Sequence, residues 1–474
     1  MTDVREFLES AARSASAHLG GLDERPVWQR VPAGVAEGLV GQELPETGAD
    51  PAALLGDIER RVLAYPMGNG HPAFFGWVNA APHPAGIAGA LLAAAVNPSS
   101  AGGDHADVYL ERGVVRWIAE LVGFPHETGA GLLTSGASMA TIVAVGAARQ
   151  RALLATGWDV RERGLSGAPR LTAYATAEVH SCVGKAIELL GIGRANLRVV
   201  ADDGAGHLDT AALREAIAAD REAGALPFLA VGSAGTVTTG AVDPLREIAA
   251  VCAESGIWFH VDGAYGAFGV LDPAIADRYA GMELADSVAL DPHKWLQVPA
   301  GVGCLLVRDR VQLRATYSLV PAYLRDDSAD ELGWYSEYGI EQTRPFRALP
   351  VWAALAARGR SGVAADIAAC TSAARRLDEL VAKDPDFELA ADTEVSIVAF
   401  RFSPAGIDDA EADRITRDLA VRIQQRGRVF ITDSLYRGRP VLRACLINPA
   451  VGEAELLLLL EEAREAAAEL RGTE

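Results

Sequence analysis

The stretch "SVALDPHKW", Ser287 to Trp295, begins as an apolar strand, stops at Asp291 and turns at once into a histidine–lysine–tryptophan run. One strand-crossover-strand length upstream, "IWFHVD" (257–262) has the same form, and the small residues "GAYGA" follow its terminal aspartate. Neither strand alternates between apolar and polar residues. Each therefore predicts burial on both faces, the habit of a parallel sheet covered by helices. To either side, the same kind of strand recurs as "GLLT" (131–134), "LTAYAT" (171–176), "LRVV" (197–200), "FLAVGS" (228–233) and "VGCLLV" (302–307). Helical stretches such as 138–154 and 243–254 separate most of them. The alternation predicts an α/β fold built on a mostly parallel seven-stranded sheet. Beyond residue 350 a long helical stretch leads to "SIVAFRF" (396–402), a helix over 409–426, "VLRACLI" (441–447) and a terminal helix from Glu453. That order predicts a smaller C-terminal α+β domain. Residues 4–19 carry helical spacing, and 20–80 read as irregular and rich in Pro and Gly. The expected division is 1–84, 85–350 and 351–474.

Lysine is scarce in this chain. Of 43 basic residues only Lys185, Lys294 and Lys383 are lysines, the rest being arginine. Arginine serves any need for fixed positive charge. It cannot lose its proton and attack a carbonyl, which a desolvated lysine amine does. Lys294, between a histidine and a tryptophan, is thus a candidate nucleophile. The 474 residues are 50% hydrophobic and 22% charged, ordinary for a globular chain, with a net charge of −20. So acidic a chain carries no footprint for nucleic acid or an anionic membrane surface. The N-terminus lacks the basic and apolar regions of a signal peptide, and the longest apolar run, 85–96, is too short to span a bilayer. Five cysteines without paired spacing read as reduced thiols. A cytoplasmic protein is expected.

Ligands of open parallel sheets bind at the carboxyl ends of the strands. Four such ends carry informative residues. "TSGAS" (134–138) lies between a strand and a long helix, where small residues and free N–H groups attract a phosphate; it also reads as an ordinary helix cap. Asp262 ends its strand beside Gly263 and Ala264 and can meet a flat ring nitrogen. Asp291 ends the next strand, with Lys294 just beyond it. His180, in "EVHSCVGKA", precedes a helix and can lay its ring over a planar group. A phosphate nest, an amine, a ring-facing carboxylate and a stacking imidazole together describe pyridoxal 5'-phosphate. Its aldehyde takes a lysine as a Schiff base, and its ring nitrogen needs a carboxylate to stay protonated and act as an electron sink.

With these residues in place the chain resembles the group II pyridoxal-phosphate-dependent decarboxylases, which include the aromatic L-amino acid decarboxylases. The matching stretches are "HPAFFGW" (71–77), "TSGASMA" (134–140), "HSCVGKA" (180–186), "GTVTTGAVDPL" (235–245), "WFHVDGAYGA" (258–267), "ADSVALDPHKWL" (285–296) and "LRACLINP" (442–449), in the family's order. The resemblance implies the fold type I architecture of the PLP-dependent transferase-like fold, with residues 85–350 as the cofactor-binding domain and 1–84 packed on a partner subunit of a homodimer. It further implies that Lys294 carries the cofactor, Asp262 pairs with its ring nitrogen, and His180 and Ala264 face the ring from opposite sides. Ala137 and Ser138 hold the phosphate, with Asp291 and His293 beside the site and Thr236 near the ring. Val237 follows Thr236 where many relatives repeat a polar residue, and Met139 replaces a common acidic one. Tyr323, in "LVPAYLRDD" (319–327), matches the tyrosine that returns a proton after carbon dioxide leaves, which favours simple decarboxylation.

The segment after "HP" and the one matching "NPSSAGGDHADVYLE" (97–111) shape the substrate pocket in relatives, which puts Phe74, Trp77 and His105 there. An aromatic amino acid is the first expectation for the substrate. The small Ser99, Ser100, Gly102 and Gly103 leave open a bulkier or more polar one. An aminotransferase, which needs an arginine such as Arg347 or Arg443, an aldehyde synthase, a carbon–carbon lyase and a non-catalytic scaffold are the alternatives.

Overall fold

The computed structural model describes residues 4–127, 129–319 and 333–472. The chain folds as two compact units. One holds residues 82–372 and 391–397; the other joins the N-terminal residues up to Ala81 to 373–390 and 398 onward. The second boundary falls inside the helical stretch Ala348–Lys383, which is broken at Gly359 (φ 64°).

The larger unit is built on seven strands: β1 (Ala130–Thr134), β2 (Leu171–Ala175), β3 (Leu197–Val199), β4 (Leu226–Ser233), β5 (Trp258–Asp262), β6 (Ser287–Leu290) and β7 (Gly303–Val307). They lie in the order β1-β7-β6-β5-β4-β2-β3. The pairs from β3 across to β6 are all parallel. β7 runs antiparallel to both β6 and β1. A parallel return needs a crossover of a dozen or more residues, usually helical. The link from β6 to β7 holds no helix, so the chain doubles back. β1 and β6 consequently point the same way, and the carboxyl ends of β1, β2, β4, β5 and β6 share one rim. The start of β7 lies at that rim too. The helix Ala137–Ala155, packed against β4, β6 and β7, is buried along most of its length. Its run of Ala and Val needs no polar face, because there is little solvent to meet.

The smaller unit contains β8 (Phe387–Leu389), β9 (Ile397–Phe402), β10 (Thr432–Tyr436) and β11 (Arg439–Cys445), in the order β10-β11-β9-β8. The helices Asp409–Arg426 and Glu453–Gly472 pack on each other, and the former packs on β11. The N-terminal stretch enters this core: Phe75 N donates to Phe430 O (2.7 Å), and the Phe74 and Phe430 rings stack with centroids 4.9 Å apart. Residues 20–80 are not wholly irregular. They include the helices Ala33–Val40 and Pro51–Ile58, the second capped by the Asp50 carboxylate accepting from Ala53 N (3.0 Å). An aspartate followed by proline at the first helical position was the available signal.

Candidate active site

Four rim segments converge where the sequence places its chemistry. After β6, Asp291 is buried and joins two of them. Its Oδ2 lies 3.0 Å from Lys294 Nζ, and its Oδ1 accepts from Ala137 N at 2.7 Å. The lysine therefore meets the start of the helix that follows β1. Its neighbour Trp295 is buried against Tyr265, with ring centroids 5.3 Å apart, and anchors this turn in the core. The Lys294 side chain is only 19% exposed, whereas Lys185 and Lys383 are exposed. His293 Nδ1 donates to Val302 O (2.7 Å), leaving Nε2 as the acceptor nitrogen.

The turn after β1 is kept bare. A Cβ on Gly136 would stand 3.8 Å from Asp291 Oδ1 and 3.9 Å from His293 Cε1, in the space before the two groups. A Cβ on Gly303, at the start of β7, would come within 2.3 Å of the Gly136 carbonyl carbon, so glycine is required for these backbones to pass. Ser138 is exposed in the first helical turn beyond.

After β5, the Asp262 carboxylate is buried. Its Oδ1 accepts from Ala264 N (3.2 Å), and its Oδ2 lies 3.7 Å from Cys182 Sγ. After β2, His180 caps the helix Ser181–Leu189 by accepting from Cys182 N at Nδ1 (3.2 Å). That bond requires a lone pair on Nδ1, so the neutral ring carries its proton on Nε2. Burial lowers the His180 pKa below its usual value; Asp262 opposes this and Lys294 adds to it. The imidazole is neutral at pH 7. Ligand atoms of His180, Cys182 and Asp262 lie within 4.8 Å of one another. Zinc at roughly 2.0–2.3 Å from each ligand draws its donors closer than that upper separation.

Thr236 lies in the turn after β4, its side chain buried. Its hydroxyl faces Thr239 Oγ1 (3.0 Å) and accepts from Ala241 N (3.0 Å), which commits it to its own turn. Phe74 is a core residue of the smaller unit, and Trp77, 46% exposed with φ 48°, packs near Phe430. His105 is half exposed beside Asp107, 3.4 Å away. Gly102 is held small by packing: a Cβ there would stand 2.3 Å from the Trp334 indole. Tyr323 lies outside the described residues. Arg347 is held by both oxygens of Glu341 (2.8 and 2.7 Å). Cys182, Gly303 and Trp334 were missed, since each matters only through a contact far away in sequence.

The residues present fit pyridoxal phosphate. A bare turn at a helix start, a half-buried amine, a buried carboxylate and a neutral imidazole are the donors and faces that cofactor requires. Residues 34–403 match the family model described as pyridoxal-dependent decarboxylase conserved domain. The chain is 29% identical to the aromatic-L-amino-acid decarboxylase of Bacillus atrophaeus, covering 99% of this chain and 96% of that protein. It is 28% identical to the phenylacetaldehyde synthase of Arabidopsis thaliana, with 91% and 89% covered. Among solved structures, Oryza sativa TDC with PLP and tryptamine superposes with a TM-score of 0.91 at 27% identity, covering 99% of this chain and 98% of that one. This chain belongs to the pyridoxal-dependent decarboxylase family and is a carboxy-lyase that uses pyridoxal phosphate.

Proposed function

We propose that the protein decarboxylates an L-amino acid, with aromatic side chains favoured, to the corresponding amine and carbon dioxide. The observation that carries this reading is the meeting of Lys294, Asp291, Asp262 and His180 on one rim of the sheet. When bound, pyridoxal phosphate supplies an aldehyde for an amine and a protonated ring that withdraws the electron pair left by the departing carboxyl. Lys294 would hold the cofactor through its amine, which Asp291 beside it keeps oriented. Asp262, buried and acceptor-only, holds the proton on the ring nitrogen. His180, in its neutral form, and Ala264 would flank the ring. Ser138 would bind the phosphate at the helix start, with His293 alongside, and Ala137 would join it on exchanging its bond to Asp291 for the phosphate. Tyr323 returns a proton to the substrate carbon once carbon dioxide has left.

The aromatic preference rests on relatives such as the Bacillus atrophaeus enzyme. An acidic amino acid decarboxylase of Mus musculus, 31% identical over 90% of this chain, supports a different side chain. The test is a screen of the amino acids for carbon dioxide release with added pyridoxal phosphate, products being identified. Amine from an aromatic amino acid supports the reading, and keto acid or aldehyde as sole product contradicts it. The Arg347 pairing with Glu341 speaks against the aminotransferase alternative, because a substrate carboxylate would have to displace it.

The functional unit is proposed to be a homodimer. The helix Pro84–Val96 is apolar on all sides, yet Leu91, Leu92 and Val96 are half or more exposed. A helix of that kind needs cover. Light scattering at the mass of two chains supports this, and a single-chain mass refutes it. Five free, buried cysteines support a cytoplasmic location. No helix among the described residues is long and apolar enough to cross a membrane.

A further inference from the structure

Cys182 touches both groups that face the cofactor ring. Its backbone N–H fixes the His180 imidazole through Nδ1 (3.2 Å), and its sulfur lies 3.7 Å from Asp262 Oδ2. Thr141 Oγ1, itself buried, lies 3.8 Å from the same sulfur. A carboxylate only accepts, whereas a hydroxyl can do either. The thiol proton therefore goes to Asp262, and Thr141 can donate to sulfur in turn. Burial, with Asp262 adding to it, pushes the Cys182 pKa far up, so the donor proton stays in place across the working pH range. Asp262 Oδ1 is already held by Ala264 N from its own turn (3.2 Å). One such contact leaves the carboxylate free to swing. A second, from another element, fixes its plane.

We infer that Cys182 is a positioning residue, whose thiol holds the Asp262 carboxylate in the plane that meets the cofactor's ring nitrogen while its backbone sets the His180 ring across the gap. The inference rests on the reading of Asp262 as the partner of that nitrogen. The effect is the size of one modest hydrogen bond, roughly 2- to 10-fold in cofactor affinity.

The experiment titrates the apo protein with pyridoxal phosphate and measures its dissociation constant. It then follows the absorbance of the bound cofactor against pH. Cys182→Ala is expected to weaken affinity by about 2- to 10-fold and to move the pH at which the absorbance changes. Cys182→Ser, which restores a donor, is expected to return affinity to within about twofold. In an Asp262→Asn background, Cys182→Ala is expected to have no further effect, because the charged acceptor is gone. A Cys182→Ala penalty equal in both backgrounds indicates mere packing and overturns the inference, as does a serine variant as weak as the alanine one. Wild-type affinity in Cys182→Ala with weak binding in Asp262→Asn overturns the role of Cys182 alone. Wild-type affinity in Asp262→Asn brings down the reading of Asp262 itself. Should Cys182→Ala fail to fold by circular dichroism, Cys182→Val, which fills the space without a donor, takes its place in each comparison.

Discussion

Among single residues, this protein spends lysine where no other side chain serves. Lys294 is the half-buried one of three lysines, and Asp291 holds its amine 3.0 Å away. The residue that decides the product is proposed to be Tyr323. Replacing it with phenylalanine removes the acid and is expected to slow amine formation by about 10²-fold, with aldehyde appearing in air. Product analysis by mass spectrometry checks this, and an unchanged amine rate takes Tyr323 out of the mechanism. Lys294, Asp262 and His180 could be picked out from the sequence because each stands at the end of an apolar strand or the start of a helix. Cys182 could not, since nothing local in "HSCVGKA" says that its sulfur meets a carboxylate from another strand. The close approach of Gly102 to Trp334 was hidden for the same reason.

Elements carry the next set of consequences. The strands were legible because short, mostly apolar runs bounded by turn residues have few other uses in a globular chain. The reversal of β7 was not, because direction depends on the length and content of a link whose fold is set by tertiary contacts. One link, from β3 to the helix Thr210–Glu222, is tied down by charge. His207 Nε2 bonds to Glu394 and its Nδ1 to Asp203 (2.9 Å), and Glu394 also accepts from Arg278 (2.9 Å). The hydrogen bond to Glu394, with the one to Asp203, raises the His207 pKa from 6.5 to about 9. The folded chain thus holds this proton more tightly than the unfolded chain. The resulting stability is complete below pH 6.5 and is lost as pH rises through about 9. His207→Gln is expected to cost roughly 1.5–3 kcal/mol at pH 6 and much less at pH 9.5. Denaturant melts of both proteins at the two pH values test it, and a penalty independent of pH refutes it.

Across the whole molecule, one buried ion pair joins distant parts of the larger unit. Arg344 donates to both oxygens of Glu111 (3.1 and 2.5 Å) and to the carbonyls of Ser100 (2.9 Å) and Leu133 (2.6 Å). Both side chains are almost fully buried. Removing one charge strands the other, so Arg344→Leu is expected to cost about 3–5 kcal/mol. Replacing both partners by apolar residues is expected to cost less than that. Equal losses in the single and double variants contradict this view of the pair. All of these ties serve a sheet whose strand ends bring an amine, two carboxylates and an imidazole to one rim, and the chemistry proposed there depends on Lys294 being where the cofactor attaches. Borohydride reduction of the cofactor-loaded protein fixes the coenzyme to whichever amine holds it, and peptide mass mapping then locates it. The label is expected on Lys294 and on no other lysine; label at Lys185 or Lys383, or none at all, contradicts that attachment.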